Sequence, residues 1–368
     1  MRRKILRWGL GLIVAMIALL LVITQTNVLV YQFRPIEPAR YYQAQKIEPA
    51  ATKDTLSIMT WNVKFGGARI DFWYDCYGNR VHMSENEVIT NCTALARKIN
   101  AVNPDILLLQ EVDIDSWRTP GIDMVQFLLD STALNYGVYA SQWQVSYIPT
   151  QNLGKINSGN AVLSKFPLKE AIRIALPLMT EQDPITRFFY LRRNILVTRL
   201  EIPNHSRPMY LLNTHTSAYS KENTRLEQLK ILQKTADSLT KAGADVLFGG
   251  DFNTLPPGTD KVSGFDDSVC DDKDFLEDDY SKEKSWLVPF YKSYKESIPL
   301  EEYVLNQKKY YSHTVNGRGF WNRRLDYLFT NLTWVSGSGM VHQDETTGGM
   351  PTMPLSDHAP VTGQLILH

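Results

Sequence analysis

Cysteine is scarce in this chain, with only three residues, Cys76, Cys92 and Cys270, among 368. Three thiols are too few for the disulfide framework that stabilises many small secreted domains. The absence of a C-x-x-C pair argues against a zinc–thiolate site. If the chain lies outside the cytoplasm, a bridge between Cys76 and Cys92 is an open alternative, and we expect the third thiol to be buried.

The chain also lacks an excess of positive charge and a G-x-S-x-G motif. Its 39 basic and 39 acidic residues balance, but the first 34 residues hold five basic residues and no acidic one. The rest of the chain therefore has a net charge of about −5, whereas a protein that holds long nucleic acids by their phosphates is normally basic. The missing G-x-S-x-G motif argues against a serine hydrolase of the α/β-hydrolase kind.

Charge is absent altogether from residue 8 to residue 33, directly after the basic start MRRKILR. This apolar run is long enough to cross a bilayer as a helix, and the basic flank predicts an N-terminus in the cytoplasm with the rest of the chain outside. A cleaved signal peptide is the alternative, but the following TQTNVLVYQF has neither an A-x-A-like site nor a lipoprotein cysteine. We predict a membrane anchor at 1–33, a proline-containing extended linker at 34–54 and a folded domain at 55–368.

Apolar strand-like runs alternate with amphipathic stretches in the folded domain. A helix is predicted to begin after Ser84, because Glu87 stands three residues later in a capping-box pattern, and to end before Pro104. A second helix is expected to end at Gly243. The stretch RLDYLFTNLTWVSGSGMV is interpreted as a hairpin. Clustered strands with few helices indicate an α+β fold in which sheet packs on sheet.

Residues 260–279 are strongly acidic, with nine acidic residues and two lysines. We interpret them as part of an exposed, mobile insertion between Asn253 and Tyr310. A calcium-binding loop is the alternative, but the spacing of an EF-hand is absent.

Polar residues stand at the ends of several apolar strands, where a packed core would not favour them. Each one alone has an ordinary explanation as a cap, a turn residue or a buried histidine. Because strand ends in a layered sheet converge on one edge, where active sites are commonly built, we expect these residues to lie together. They are Asn62, Glu111, His215, Asp251, Asn253, Asp326, Asp357 and His358.

The chemistry of this set is coherent. Carboxylate and amide oxygens without cysteine suit a hard cation, Mg²⁺ or Mn²⁺. Histidines and amides offer hydrogen bonds to phosphate, and a carboxylate beside a histidine supports an imidazolium. Together these groups predict metal-assisted attack of water on a phosphoester.

Seven short motifs follow one another in the chain: TWNV, LLLQEV, SGNAVLSKFP, NTHT, GGDFN, RLDYLF and SDHAPV. On these motifs, residues 55–368 resemble the endonuclease/exonuclease/phosphatase superfamily, which has the fold of DNase I. The resemblance implies an α+β, four-layer α/β/β/α sandwich, here preceded by an N-terminal transmembrane helix. It also implies that domain 55–368 is a Mg²⁺-dependent phosphodiesterase or phosphatase.

The resemblance further implies a role for each motif residue. The metal ion would be held by Glu111, Asn62 and Asp357. The phosphate would be bound by Asn62, Asn253 and His215. The catalytic set would be His215, Asp251, Asp326 and His358, with Asp251 acting on the attacking water and His358 paired with Asp326 rather than with Asp357. Lys64 departs from the pattern, because some nucleases of this family have an acid at that position.

Three functions stay open on the sequence. We favour hydrolysis of a lipid-borne or small phosphoester at a membrane, where Trp73, Trp286 and Trp321 could lie at the interface if they are exposed. A nuclease that acts on DNA or RNA outside the cytoplasm is the alternative, and a binding protein that has lost catalysis is the third. No protein partner is indicated. A nuclease would need a basic groove, for which the candidates are Arg187, Arg192, Arg193, Arg318, Arg323 and Arg324.

Overall fold

The computed structural model describes residues 2–30, 34–51, 53–76, 78–218, 222–265, 267, 270, 278–315, 320–344 and 351–367. The helices are α1 (Arg2–Val30), α2 (Glu85–Val102), α3 (Met124–Ser131), α4 (Pro184–Phe189), α5 (Thr224–Lys241), α6 (Val288–Ser293) and α7 (Leu300–Leu305). The strands are β1 (Ile36–Pro38), β2 (Arg40–Gln43), β3 (Thr55–Asn62), β4 (Ile106–Asp113), β5 (Tyr136–Ile148), β6 (Gly154–Ser164), β7 (Leu168–Ala175), β8 (Asn194–Leu200), β9 (Met209–His215), β10 (Asp245–Asp251), β11 (Lys295–Glu296), β12 (Asp326–Thr330), β13 (Thr333–Trp334), β14 (Met340–Val341) and β15 (Val361–Ile366). Short 3-10 helices lie at Lys64–Gly66, Thr150–Asn152 and Gln307–Tyr310.

Two mixed sheets form the body of the protein. The first sheet has the strand order β1, β7, β8, β9, β10, β12, β11, and the second has the order β13, β15, β3, β4, β6, β5, β2, with β14 also paired to β15. The pair β9–β10 in the first sheet and the pair β3–β4 in the second are parallel. Each parallel pair is joined by a long helix, α5 or α2. Both sheets therefore contain the same strand–helix–strand unit.

Buried apolar side chains hold four layers together. Between the sheets, Leu108 and Val162 of the second sheet lie in one cluster with Leu211 and Leu247 of the first. A second cluster packs α2 and α3 on the outer face of the second sheet, and a third packs α5 and α6 on the outer face of the first. The predicted α/β/β/α sandwich is confirmed.

Helix α2 begins where the sequence predicts. The Ser84 side chain accepts a hydrogen bond from the Glu87 backbone N–H, and the Glu87 carboxylate accepts one from the backbone N–H of Ser84. Asn103 ends the helix in the left-handed region at φ 52°, and its N–H donates to the Ile99 carbonyl. Both ends of α2 are thus fixed by local residues, and its apolar face packs on the second sheet.

Part of the predicted linker at 34–54 belongs to the sheets instead. Strand β1 pairs with β7 at the edge of the first sheet, and β2 pairs with β5 at the edge of the second. Tyr42 is buried, and its hydroxyl donates to Asp123 Oδ2 at 3.0 Å. Proline is tolerated here because an edge strand has a free side that needs no N–H donor. Residues 36–43 are therefore edge strands rather than a tether.

The disulfide joins Cys76 to Cys270, and Cys92 is a buried free thiol. The alternative of a Cys76–Cys92 bridge is wrong, because Cys92 lies on the buried face of α2 against the second sheet. The bridge ties the loop before α2 to the acidic segment at 260–279.

The stretch interpreted as a hairpin is also different in the structure. Strand β12 belongs to the first sheet, whereas β13 belongs to the second. The chain crosses from one sheet to the other at residues 331–332, because both strands find partners outside this stretch.

Helix α1 precedes the sandwich. Its stretch Lys4–Ile23 is long and apolar enough to cross a membrane, with a mean hydropathy of 2.4, and none of it is buried in the protein. A signal sequence has the same length and composition, so the transmembrane role of α1 stays a prediction.

Candidate active site

The parallel strands bring their carboxyl ends to one edge of the sandwich. Asn62 ends β3 and Glu111 lies on the neighbouring β4, while His215 ends β9 and Asp251 ends β10. Asp251 is in register with His215 and, across the antiparallel pair β10–β12, with Asp326. Strand direction alone therefore explains why residues far apart in sequence meet.

A β-bulge directs Glu111 into the site. Between the pairs Leu109–Ala161 and Val112–Gly159, strand β4 has two residues where β6 has one. Glu111 adopts φ 56°, a left-handed conformation that is uncommon for residues other than glycine. Bulges and strained backbone of this kind are typical of functional sites, where they aim one side chain.

Asn62 connects the carboxylates of both sheets. Its Nδ2 donates to Glu111 Oε1 at 3.2 Å and to Asp251 Oδ2 at 3.1 Å. Its Oδ1 accepts from the backbone N–H of Lys64 at 3.1 Å. Asn62 thus orients two acidic side chains at once.

The segment after β10 holds Asp251 and Asn253. Gly250 has φ 127°, and a Cβ added there would lie 1.9 Å from the Thr214 carbonyl oxygen, so only glycine permits this approach of β10 to β9. The Asn253 backbone N–H donates to Asp251 Oδ1 at 2.9 Å, and its Nδ2 donates to the Thr216 carbonyl at 3.2 Å. Asn253 is therefore held beside Asp251 by both its backbone and its side chain.

His358 is paired with Asp326, not with its neighbour Asp357. Its Nδ1 donates to Asp326 Oδ2 at 2.8 Å, and its Nε2 lies 3.5 Å from Asp251 Oδ2. Ser356, on the same turn, donates its hydroxyl to the Asn62 carbonyl at 2.7 Å. The turn before β15 is thus fastened to the end of β3 and presents two side chains in different directions.

Sequence reasoning missed two residues that support this pair. Ser312 donates its hydroxyl to Asp326 Oδ2 at 2.6 Å, and the His313 ring lies 4.3 Å from the His358 ring between centroids. They follow no apolar strand in the sequence, so the strand-end rule does not select them. Their contribution is to orient the His358–Asp326 pair.

Burial and charge set the protonation of the pair. Burial alone would lower the pKa of His358, but Asp326 and Asp251 outweigh it and raise the pKa to about 10. Burial raises the pKa of Asp251 to about 7, although His358 opposes the rise. His358 is therefore charged near neutral pH, and Asp251 can bind or release a proton there.

His215 has the opposite character. Burial, with the positive charges of Arg193 and His358, holds its pKa well below the usual range, so it is neutral. Its Nε2 lies 3.3 Å from Asp251 Oδ2, and its Nδ1 lies 3.8 Å from Glu111 Oε1. Within the described residues, Nδ1 has no hydrogen-bond partner, so it is available to a ligand.

The donor set fits a hard cation. Burial and the nearby charge of Asp357 both raise the pKa of Glu111, and no lysine or arginine of the described segments lies within ion-pair distance of Glu111. A buried carboxylate near a second one, with no lysine or arginine paired to it, is the kind of group that binds a divalent ion. The ligand atoms of Asp251, Asp326 and His358 also lie within 4.8 Å of one another and could hold a metal ion. In that second set His358 and Asp326 already bond to each other, and Glu111, Asn62 and Asp357 stay the ligands that the sequence predicts.

The site lies in a cavity of about 340 Å³. The predicted site residues Glu111, His215, Asp251 and His358 line it. Aromatic side chains of Trp73, Tyr74, Trp143, Tyr190 and Tyr280 also line it. Tyr74 stands two positions before Cys76 of the Cys76–Cys270 disulfide.

The arginines proposed for a basic groove do not form one. Arg323 is fully buried and pairs with Asp267 and Asp278, and Arg324 is fully buried and pairs with Glu296. Arg187 binds the backbone carbonyls of 180 and 182, Arg193 is buried in the cavity wall, Arg192 is half-buried, and Arg318 lies outside the described residues. Asp267 and Asp278 also show that part of the acidic insertion is packed rather than exposed.

Trp321 is buried, so it does not lie at a membrane interface as the sequence suggested for three tryptophans. Trp321 is 2% exposed and donates Nε1–H to the Gln343 carbonyl at 2.9 Å. Trp286 packs, half-buried, on the cluster under α5 and α6, and Trp73 faces the cavity. All three tryptophans therefore contact other parts of the folded domain.

The sequence matches the family described as Endonuclease/Exonuclease/phosphatase family over residues 59–358. Among solved structures, an endonuclease/exonuclease/phosphatase from Beutenbergia cavernae is similar at 19% identity, with a TM-score of 0.55 over 86% of this chain and 72% of that chain. The human Nocturnin catalytic domain is similar at 17% identity, with a TM-score of 0.51 over 90% of this chain and 98% of that chain. An endonuclease/exonuclease/phosphatase from Bacteroides vulgatus is similar at 12% identity, with a TM-score of 0.51 over 86% and 100%.

No curated protein matches the chain. The structural likenesses support the fold, and the family match spans most of the chain and includes every residue placed in the site. This chain therefore belongs to the endonuclease/exonuclease/phosphatase family and is a metal-dependent phosphoester hydrolase.

Proposed function

We propose that the protein is a Mg²⁺-dependent phosphoester hydrolase, anchored in a membrane by α1, that acts outside the cytoplasm on lipid-borne or small phosphoesters. The observation that carries the proposal is the cavity. At about 340 Å³ it is near the lower end of small-molecule sites, which run to roughly 1,000 Å³. Its size and aromatic wall suit a phosphate with a compact substituent better than a nucleic-acid duplex.

The charge of the protein also favours a small phosphoester over a long nucleic acid as the substrate. Affinity for long nucleic acids comes mainly from basic side chains that neutralise phosphates. In this protein, Arg323 and Arg324 form ion pairs inside the domain. The chain after the proposed anchor carries a net negative charge. A single phosphate at a metal site needs no extended basic surface.

The side chains divide the chemistry among them. Glu111 and Asp357, oriented in part by Asn62, would hold Mg²⁺, which when bound polarises a phosphoryl oxygen and neutralises developing charge. Asp251 accepts a proton from the attacking water at a carboxylate oxygen, for which a pKa of about 7 is well placed. His358 holds a proton on Nε2 and donates a hydrogen bond to a phosphoryl oxygen.

The remaining two residues bind rather than transfer protons. His215 is neutral, so one ring nitrogen can donate to the phosphate without adding a positive charge beside Asp251. Asn253 lines the cavity next to Asp251 and offers its amide to the same phosphate. Each role is inferred from the position and protonation of the residue, and each can be tested by substituting that residue.

The disulfide supports a location outside the cytoplasm. Stable disulfides form mainly in oxidising compartments, and the structure has one between Cys76 and Cys270. The basic residues at the start of α1 and the uncharged span that follows them favour a cytoplasmic N-terminus. Together they suggest a single-pass protein with its active site on the outer side.

A substrate panel tests the proposal. The full chain in detergent micelles would be offered plasmid DNA, RNA, sphingomyelin, phosphoinositides and p-nitrophenyl phosphate esters, with Mg²⁺ and with EDTA, at physiological salt. We expect turnover of a lipid or small phosphoester that EDTA and His358→Ala both abolish. Faster turnover of DNA or RNA than of every other substrate would replace the proposal by a nuclease function.

A further inference from the structure

Arg193 differs from the other buried arginines of the protein in lacking an acidic partner. Arg118 pairs with Asp113, Arg225 with Glu283, Arg323 with Asp267 and Asp278, Arg324 with Glu296, and Arg173 with Glu37. Arg193 is 7% exposed, yet no carboxylate of the described residues lies within ion-pair distance of it.

Among the described residues, the Arg193 side chain makes one hydrogen bond, and its partner is a neutral group. Its Nη1 donates to Gln142 Oε1 at a long 3.3 Å. A guanidinium has five N–H donors and cannot shed its proton under ordinary conditions, so most of its hydrogen-bonding capacity is unused. A buried charge without a counter-charge destabilises the folded protein. Its retention calls for a partner that is supplied from outside the chain.

The position of Arg193 indicates what that partner is. The residue immediately precedes β8 and lines the catalytic cavity together with Gln142 and Tyr190. Burial lowers the pKa of Arg193, while the charges of Tyr190, Glu111 and Asp251 oppose this. Arg193, Glu111 and Asp251 therefore line one cavity and interact electrostatically, but neither carboxylate forms an ion pair with Arg193. An anion bound in this cavity would supply the missing partner.

We infer that Arg193 binds a non-bridging oxygen of the substrate phosphate in the catalytic cavity, and that Gln142 is its positioning residue. This rests on the proposed function, because the anion is the phosphate of a phosphoester. Arg193 also gives the cavity a preference for compact anionic substrates, since its charge is compensated only when the phosphate is in place.

Binding of inorganic phosphate tests the inference without turnover. Thermal shift and calorimetry would be recorded on the full Mg²⁺-loaded chain in detergent. Loss of a charge-assisted hydrogen bond predicts roughly 10- to 100-fold weaker phosphate binding in Arg193→Gln. Arg193→Lys should fall between the two, because an ammonium lacks the guanidinium fork. Arg199→Gln is the matched control, since Arg199 lies on β8, the strand that Arg193 precedes, and pairs with Glu170 and Glu201 instead.

A second variant separates ligand binding from a structural role. Gln142→Glu supplies the missing carboxylate, so we expect a higher melting temperature without phosphate and a smaller phosphate-induced shift. If Arg193 had only a structural role, Gln142→Glu would raise the melting temperature without phosphate but would not change the phosphate-induced shift. The inference is overturned if the wild-type protein does not bind phosphate, or if Arg193→Gln or Gln142→Glu binds it within about twofold of wild type.

Failure of the proposed function would look different. Phosphate binding that depends on Arg193, in a protein that hydrolyses none of the lipid or small phosphoesters, would keep the anion site and reject the proposed substrates.

Discussion

Asparagine at position 326 would remove the charge that keeps His358 protonated while leaving the shape of the side chain intact. In the folded protein the pKa of His358 is about 10 against burial that would lower it, and Asp326 is the largest opposing influence. A rise from the usual 6.5 to about 10 corresponds to about 5 kcal/mol in favour of the charged ring. Asp251 supplies a further part of this. In Asp326→Asn, burial should therefore return the pKa of His358 toward its ordinary range.

The pH dependence of kcat reports this change. In the wild-type protein His358 stays charged through neutral pH, whereas in Asp326→Asn it loses its proton as the pH rises. We expect a loss of about 10²–10³-fold at alkaline pH, on the scale of a lost hydrogen-bond donor to the transition state, and a much smaller loss near pH 6. His358→Ala should show a similar loss at every pH, and the double variant should be no worse than His358→Ala alone.

The pH dependence of the free energy of unfolding is an independent test, and its direction can be predicted. Folding raises the pKa of His358, so its contribution to stability is fully present below about pH 6.5 and is lost as the pH rises toward about 10. Asp326→Asn should flatten this dependence. Losses from the two single variants that simply add in the double variant, or an unchanged alkaline limb, would refute the pairing of Asp326 with His358 as a working unit.

Three further predictions follow from the site and from the chain around it. Glu111→Gln should lower the rate at least about 100-fold and remove the thermal stabilisation by Mg²⁺; a rate within about threefold of wild type would exclude Glu111 as the ligand. Replacing Cys76 and Cys270 together by serine should cost about 2–4 kcal/mol of unfolding free energy, with dithiothreitol lowering the melting temperature of the wild type but not of the variant. A reporter fused after residue 50 should be active only outside the cytoplasm, and cytoplasmic activity would reverse the topology.

The sequence predicts the features that depend on local chemistry or on strand direction. Ser84 and Glu87 are enough to place the start of α2, because a capping box satisfies its own donors. Polar residues at strand ends meet because parallel strands end at the same edge, as His215 and Asp251 do. Their grouping therefore needed no knowledge of distant contacts.

Features that depend on a distant partner could not be predicted in this way. Cys76 and Cys270 are separated by 194 positions, and nothing near either cysteine identifies the other. Arg323 looks like any surface arginine until Asp267 and Asp278 fold against it. Ser312 gains its importance only through Asp326, which lies on another element. In each case the information resides in packing between segments rather than in either segment.

If α1 crosses a bilayer as proposed, the edge strand β1 limits the distance between the catalytic domain and that bilayer. Helix α1 ends at Val30 and β1 begins at Ile36, where the chain is already locked into the first sheet by β7. The six residue-to-residue steps from Val30 to Ile36 reach at most roughly 20 Å even when fully extended. With α1 in a bilayer, the catalytic domain would be held within about one small-protein radius of the membrane surface. It would search for substrate in two dimensions, and phosphoesters dissolved far from the membrane would be beyond its reach until they diffused to it.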